Sequence, residues 1–207
     1  NTLTVEPGKK VTFTPGNTDA TYKTVKSDSI GTAVDGDYQP AKNEDGSYSF
    51  TAPSEDVTIV ETPNEHTVKL PEDVTNVKVT TSGGTDIPKN NDGTYTVKKG
   101  DNVSFTKPAD ADVAYKKNGT PFDPDAAGNY SFTVGTDDVT ITAEDNTYKV
   151  TLPKDDVTEV TINGAPATPN PDGAYTVKKG DKLTFKAPTD ADMTYKNGET
   201  TLDADEN

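Results

Sequence analysis

The chain has 207 residues with 35 acidic and 20 basic side chains, a net charge of −15, one His, and no Cys, Trp or Arg. The lack of Cys excludes disulfides, thiolate zinc sites and a cysteine nucleophile, and one His excludes a site that needs two imidazoles. The acidic charge argues against nucleic acid and anionic membranes as partners, and no apolar run approaches the roughly 20 residues that span a bilayer.

The apolar content raises the question of disorder. Leu, Ile, Val and Phe supply 35 of the 207 residues, which is below the roughly 20% that accompanies disorder in highly charged chains. The order of the residues favours a folded chain, because apolar residues alternate with Thr, Ser and Lys at the period-two spacing of half-buried strands.

The sequence repeats itself with a unit of about 80 residues. The segment Asp92 to Asp101, DGTYTVKKGD, matches Asp172 to Asp181, DGAYTVKKGD, and the YSFT at Tyr48 recurs at Tyr130. We predict three tandem domains joined by short polar segments, which favour an extended array. The predicted units are repeat one (1–65, with an insertion at 27–39), repeat two (66–146) and repeat three (147–207).

Repeat one aligns without the two opening strands of the unit, and repeat three without the two closing strands, so only repeat two is complete. We favour a fragment of a longer array as the explanation. The alternatives are a permuted domain boundary and donation of the missing strands by neighbouring chains, which would build a filament by β-augmentation.

Alternation of apolar and polar residues predicts seven short strands in repeat two, and no stretch shows a helical period. Clusters of Gly, Asn and Asp between them predict turns, and the two Lys-Lys-Gly-Asp segments at 98–101 and 178–181 predict tight hairpin turns. We therefore expect small Ig-like β-sandwiches, with β-grasp-like units as the alternative. The predicted strands are Thr67–Leu70, Val74–Thr80, Thr94–Lys98, Asn102–Lys107, Asp112–Lys116, Tyr130–Val134 and Asp138–Ala143.

These strand-and-turn motifs resemble a known family. The segment Ser47 to Ile59, SYSFTAPSEDVTI, and the pattern Tyr-x-Val-Lys-Lys-Gly-Asp resemble the InlB-B-type (Listeria–Bacteroides-like) tandem repeats of Gram-positive surface proteins. In repeat two, Val134 to Asp137 replaces the usual Met-Pro turn, and the Trp of many such repeats is absent. The resemblance implies a secreted, wall-attached or filamentous bacterial protein without catalytic residues.

Acidic clusters at 110–112, 190–192 and 203–206 are the candidates for a metal site. Calcium needs six to eight oxygen ligands, and none of the clusters shows the Asp-x-Asp-x-Asp-Gly spacing with a distal Glu. We therefore expect solvated carboxylates, with weak calcium binding as the alternative, and predict no catalytic, cofactor-binding or metal-ligating residue.

Other candidates are aromatic or basic. Tyr22, Tyr115 and Tyr195 occupy equivalent positions, where they either pack against Phe13, Phe105 and Phe185 or form a glycan-binding face. His66, at a strand start, is expected to lie at the surface or at a joint. Lys98 and Lys178 are the places to look for Lys–Asn or Lys–Asp cross-links, although ordinary exposed lysines are favoured.

The sequence predicts a non-enzymatic structural or adhesive repeat region of an extracellular bacterial surface or filament protein. Asn1 begins in a polar stretch rather than a signal peptide, and a signal removed upstream is compatible with this location. The expected partners are neighbouring repeats, copies of the chain, or a host or cell-wall glycan or protein. A glycan- or protein-binding module is the alternative function, and the insertion at 27–39 is the first candidate for its contact.

Overall fold

The computed structural model describes residues 2–27, 38–153, 157–187, 194, 196–197 and 199–201. These residues form an all-β structure without an α-helix, which confirms the predicted class and favours the sandwich over the β-grasp alternative. No helix in the described ranges has the length and apolarity to cross a bilayer. Residues 190–192, Tyr195, 203–206 and most of the insertion at 27–39 lie outside the described residues.

The described part of repeat one contains five strands in two sheets. The sheets have the orders β3-β4-β1 and β2-β5, and every pairing is antiparallel. An edge-to-face contact at 5.5 Å between the rings of Phe13 and Tyr22 joins the two sheets. The strands are β1 (Lys10–Phe13), β2 (Ala20–Lys26), β3 (Ala41–Lys42), β4 (Tyr48–Thr51) and β5 (Val57–Pro63).

Repeat two contains eight strands, and all seven predicted strands are present with bounds shifted by at most two residues. The eighth strand, β11, carries Pro121 and is too short to show alternation. The strands are β6 (Glu65–Lys69), β7 (Thr75–Thr80), β8 (Thr94–Lys98), β9 (Asn102–Thr106), β10 (Val113–Lys117), β11 (Thr120–Phe122), β12 (Asn129–Thr133) and β13 (Val139–Asp145).

These strands form a five-stranded sheet of order β11-β10-β13-β6-β8 and a three-stranded sheet of order β12-β9-β7. Strands β13 and β6 run parallel, with Val139 opposite Val68. The aromatic core lies between the sheets: Phe105 stacks on Tyr130 at 5.1 Å and meets the edge of Tyr115 at 5.5 Å. Alternation thus places one face of β8 and one face of β9 in the interior, as the sequence predicts.

The hairpin prediction for residues 98–101 is wrong. The turn itself is tight, since the Asp101 N–H donates to the Lys98 carbonyl at 3.0 Å and Gly100 has a φ of 94°. However, β8 pairs with β6, whereas β9 pairs with β7 and β12. The two strands belong to different sheets, so the turn carries the chain from one sheet to the other.

The same correction applies to residues 178–181, because the strands on either side of that turn belong to different sheets. In the described part of repeat three, the sheets have the orders β14-β17, β16-β15-β18 and β19-β20. The strands are β14 (Thr147–Thr151), β15 (Thr158–Ile162), β16 (Ala165–Pro166), β17 (Ala174–Lys178), β18 (Leu183–Lys186), β19 (Lys196–Asn197) and β20 (Thr200–Thr201).

Contacts group the chain into two compact bodies. The first is Asn1–Ala111 with Tyr115–Ala143, and the second is Asp112–Ala114 with Glu144–Asn207. The first body contains all of β1 to β9, so repeat one and most of repeat two belong to one compact body. The division into three domains remains a prediction.

Candidate functional site: an Asp–Asn joint

A buried carboxylate joins repeat one to repeat two inside the first body. Asp19 ends the loop between β1 and β2, and its N–H donates to Asn17 Oδ1 at 3.0 Å. The Tyr22 hydroxyl donates to the Asn17 carbonyl at 2.7 Å, which ties the loop to the following strand. Asx turns of this kind fix a short polar loop without regular structure. The position of Asp19 is therefore set by its own loop before any contact with repeat two.

Asn64 and His66, on either side of the start of β6, meet Asp19 with both backbone and side chain. The Asn64 N–H donates to the Asp19 carbonyl at 3.0 Å, and its Nδ2 donates to Asp19 Oδ1 at 2.9 Å. His66 Nε2 lies 2.6 Å from the other carboxylate oxygen. The side chains of His66 and Asp19 are only 11% and 7% exposed. Both carboxylate oxygens are thus occupied, and we call this arrangement the Asp–Asn joint.

The electrostatics agree with this geometry. The hydrogen bond from His66, and then the one from Asn64, hold the pKa of Asp19 below its ordinary value against the opposing effect of burial. Lys99, in the turn after β8, adds attraction for the carboxylate, and its Nζ lies 3.3 Å from Thr18 Oγ1. An ionised carboxylate that receives several donors is a strong acceptor, so the joint depends on Asp19 being charged.

The same contacts recur at equivalent positions further along the chain, within the second body. The Asn146 N–H donates to the Asp112 carbonyl at 2.9 Å, and Asn146 Nδ2 donates to Asp112 Oδ1 at 2.8 Å. Tyr148 takes the place of His66, with its hydroxyl 2.9 Å from Asp112 Oδ2. This hydrogen bond is the largest cause that raises the pKa of Tyr148. The recurrence indicates a property of the repeat rather than an accident of one loop.

The arrangement is suited to fixing geometry, because both oxygens of the buried Asp19 carboxylate accept hydrogen bonds. Within the described ranges no cluster of three or more His, Cys, Asp or Glu side chains could hold a metal ion. What the joint can do is set the angle between the strands that it connects.

Among the acidic clusters, the expectation of solvated carboxylates is wrong for Asp112, because Asn146 and Tyr148 both donate to it. The hydrogen bonds of Asp112 could not be predicted from the local sequence, because a carboxylate in a polar loop has the same neighbours in sequence whether it faces water or accepts hydrogen bonds from the protein. The repeat alignment contains the missing information. Asp19 and Asp112 each stand three residues before the core Tyr, and Asn64 and Asn146 each stand two residues before the equivalent pair His66 and Tyr148.

The predicted aromatic packing is confirmed for the two described tyrosines. Tyr115 is 2% exposed and contacts Phe105, and Tyr22 contacts Phe13. The Tyr115 ring is therefore buried away from any ligand, whereas the Tyr22 ring is half-buried. The third predicted tyrosine, Tyr195, lies outside the described residues.

The two lysines considered for cross-links are exposed, as favoured. Lys98 Nζ lies 4.0 Å from Glu65 Oε1, and Lys178 Nζ lies 2.8 Å from Asp145 Oδ2, with roughly half of each side chain exposed. The hydrogen bond to Asp145 raises the pKa of Lys178. Amide formation needs a neutral amine shielded from water, so these exposed ion pairs do not favour a cross-link.

No protein-family model matches the chain, and a search of the curated proteins found no match.

Proposed function

We propose that the chain is a non-enzymatic spacer, part of the structural or adhesive repeat region of an extracellular bacterial surface or filament protein. One observation carries the proposal: the Asp–Asn joint, in which Asn64, at the end of repeat one, and His66, at the start of repeat two, occupy both oxygens of the buried Asp19 carboxylate. A spacer needs neighbouring domains held at a defined angle, and short joints with backbone and side-chain hydrogen bonds supply this.

Two further features support the spacer role. The chain carries a net charge of −15, which favours solubility. Turn and core residues recur between repeats, as the two DGxYTVKKGD segments at 92–101 and 172–181 do. The partners in this proposal are neighbouring repeats, copies of the chain, or a glycan or protein of the cell wall or host.

Spin-label distances test the spacer. Because the chain has no Cys, Glu44→Cys and Ala126→Cys place two labels in exposed turns on repeats one and two. We expect a narrow distance distribution that broadens when Asp19→Ala and Asn64→Ala are combined. The matched control is Glu72→Ala with Asn91→Ala, an exposed acid and amide away from the joint, which should leave the distribution narrow. A broad distribution in the parent chain would contradict the proposal.

The location is tested separately. An antiserum against the chain should label intact cells of the source organism, and protease added to those cells should remove the label. Labelling that requires permeabilised cells would contradict the surface assignment while leaving the spacer geometry untouched.

A second candidate, a filament subunit assembled by strand complementation, is favoured by one observation. Among the described strands β5 pairs with β2 alone, whereas β13, at the equivalent place, pairs with both β10 and β6. Ile59 of β5 is accordingly 38% exposed, while the equivalent Ile141 is 3% exposed. A strand from a second chain could cover Ile59. Light scattering decides, because a concentration-independent monomer would refute the filament.

A further inference from the structure

We propose that copies of this chain assemble head to tail through a parallel pairing of β5 in one copy with β14 in the next. The inference deepens the filament candidate, on which it rests, by naming the two edges that meet, and the spacer role does not depend on it. The observation behind it is that the two-stranded sheets β2-β5 and β14-β17 correspond to the two halves of the β10-β13-β6-β8 arrangement in repeat two.

Strand β5 has the residue pattern of β13. Both begin with Val-Thr-Ile, at Val57 and at Val139, and both pair on one side with the strand that carries the core Tyr of the repeat. On its other side β13 pairs with β6, whereas β5 has no second neighbour among the described strands. Accordingly, Val57 is half-buried, whereas Val139 is only 6% exposed. Strand β5 thus offers an edge that repeat two fills with a β6-type strand.

Strand β14 is a strand of that β6 type. Val68 of β6 lies opposite Tyr95 of β8, and Val150 of β14 lies opposite Tyr175 of β17 in the same way. Val68 is 0% exposed in a strand that has a neighbour on each side. Val150 is half-buried, and among the described strands β17 is the neighbour of β14 on one side alone. The edges of β5 and β14 are therefore complementary halves of one known pairing.

Repeat two also gives the register of the pairing between copies. The parallel ladder of β13 and β6 has one buried apolar pair and, one residue further along, one exposed pair. The equivalent pairs between copies are Val57 with Val150 and Thr58 with Thr151. Contact between the two Val side chains buries apolar surface, and the backbone groups of the two edges supply hydrogen bonds. Because the contact joins different surfaces of the two copies, it repeats from copy to copy rather than closing a two-fold dimer.

The other edge of the β2-β5 sheet is closed within the chain. The Thr24 N–H donates to Gln39 Oε1 at 3.2 Å, and Gln39 Nε2 donates to the Thr24 carbonyl at 3.0 Å. The Gln39 amide thus takes the place of a neighbouring strand along β2. A strand edge whose backbone groups are covered does not pair with another chain, so the pairing is directed to β5.

Charge substitutions at the exposed pair test the pairing without disturbing a core, because Thr58 and Thr151 are both exposed. Thr58→Lys combined with Thr151→Lys sets like charges opposite each other at every contact, and so does Thr58→Glu combined with Thr151→Glu. Each double variant alone should associate about fivefold more weakly than the parent chain, whereas an equal mixture should associate at least as tightly as the parent. The matched control is Thr21→Lys with Thr176→Lys, at exposed positions of β2 and β17 that are not opposite each other, and it should associate like the parent.

Sedimentation velocity and light scattering measure the association from about 10 µM to about 1 mM protein. Salt at about 0.15 M screens the repulsion between acidic chains beyond about 8 Å. A parent chain that stays monomeric over this range would overturn the pairing and leave the spacer untouched. Association that both double variants keep, that the mixture fails to recover, or that the control loses equally would also overturn it. Failure of the spacer is seen separately, because broad spin-label distances within one parent chain leave the pairing between copies standing.

Discussion

Tyr115 holds a buried hydroxyl that has no hydrogen-bond partner in the described part of the chain. The equivalent hydroxyl of Tyr22 donates to the Asn17 carbonyl at 2.7 Å. The loop before Tyr115 is one residue longer, because Phe105 and Tyr115 are ten positions apart and Phe13 and Tyr22 nine. Tyr115→Phe removes the unsatisfied hydroxyl and keeps the ring in its contacts with Phe105. We therefore expect this substitution to stabilise the protein.

The magnitude follows from the cost of burying a polar group. An unpaired buried hydroxyl costs about 1–3 kcal/mol, so Tyr115→Phe should raise the free energy of unfolding by about 1–2 kcal/mol near pH 7. Tyr22→Phe is the matched control, because it deletes a satisfied hydroxyl and should lower the free energy of unfolding by about 1 kcal/mol. The opposite signs of two chemically identical substitutions make the comparison specific.

The loss of stability at alkaline pH provides a second test. Burial raises the pKa of Tyr115 to about 12, so the unfolded chain ionises this phenol before the folded chain does. The contribution of Tyr115 to stability is therefore constant below about pH 10 and is lost as the pH rises from 10 through about 12. A shift of about two units corresponds to at most about 3 kcal/mol. Tyr115→Phe should lack this part of the alkaline loss.

Urea unfolding followed by tyrosine fluorescence and circular dichroism measures both effects. A loss of more than about 1 kcal/mol in Tyr115→Phe at neutral pH would show that the hydroxyl is satisfied, and the reasoning would be refuted. An unchanged alkaline loss would likewise show that burial does not control the ionisation of this residue.

Three further substitutions test the turns and the core by urea unfolding. Hydrogen bonds from the hydroxyl and the N–H of Thr94 lower the pKa of Asp92. The stability that Asp92 adds is therefore present above its ordinary pKa and is lost as the pH falls through its lowered pKa. Asp92→Asn should reduce the loss of stability at acid pH, and an unchanged dependence of stability on acid pH would contradict this. Gly100 has a φ of 94°, so Gly100→Ala should lower the free energy of unfolding by about 1–2 kcal/mol. Gly83 has no positive φ, so Gly83→Ala should change the free energy of unfolding little. Equal losses in the two variants would contradict backbone strain as the cause. Phe105 is 1% exposed, so Phe105→Ala should lower the free energy of unfolding by about 3–5 kcal/mol. A loss under about 1 kcal/mol would contradict the position of Phe105 in the core.

The strands could be predicted from the sequence because a half-buried strand is a local pattern. Val103 and Phe105, two residues apart, both face the core, and Gly100 marks the turn before them. Which strands pair could not be predicted, since pairing depends on contacts between distant segments. The turn at residues 98–101 looks like a hairpin locally, and only the partners of β8 and β9 show that it crosses between sheets.

The joint lies beyond local pattern for the same reason. Asp19 and His66 are 47 residues apart, and each stands in an ordinary polar segment. The residue types of the core could be predicted from the sequence. The hydrogen bond between Asn64 and one particular carboxylate could not, because it depends on the conformation of the loop that carries Asp19. The recurrence of the Asp and the Asn at equivalent positions is the sequence feature that indicates the joint.

Residual dipolar couplings test the central claim most directly, namely that the Asp–Asn joint holds repeats one and two at a fixed angle. The amides of β1 to β5 and those of β6 to β9 should fit one common alignment tensor in the parent chain. Asp19→Ala with Asn64→Ala should split them into two tensors of different magnitude. Two tensors already in the parent chain would contradict the account.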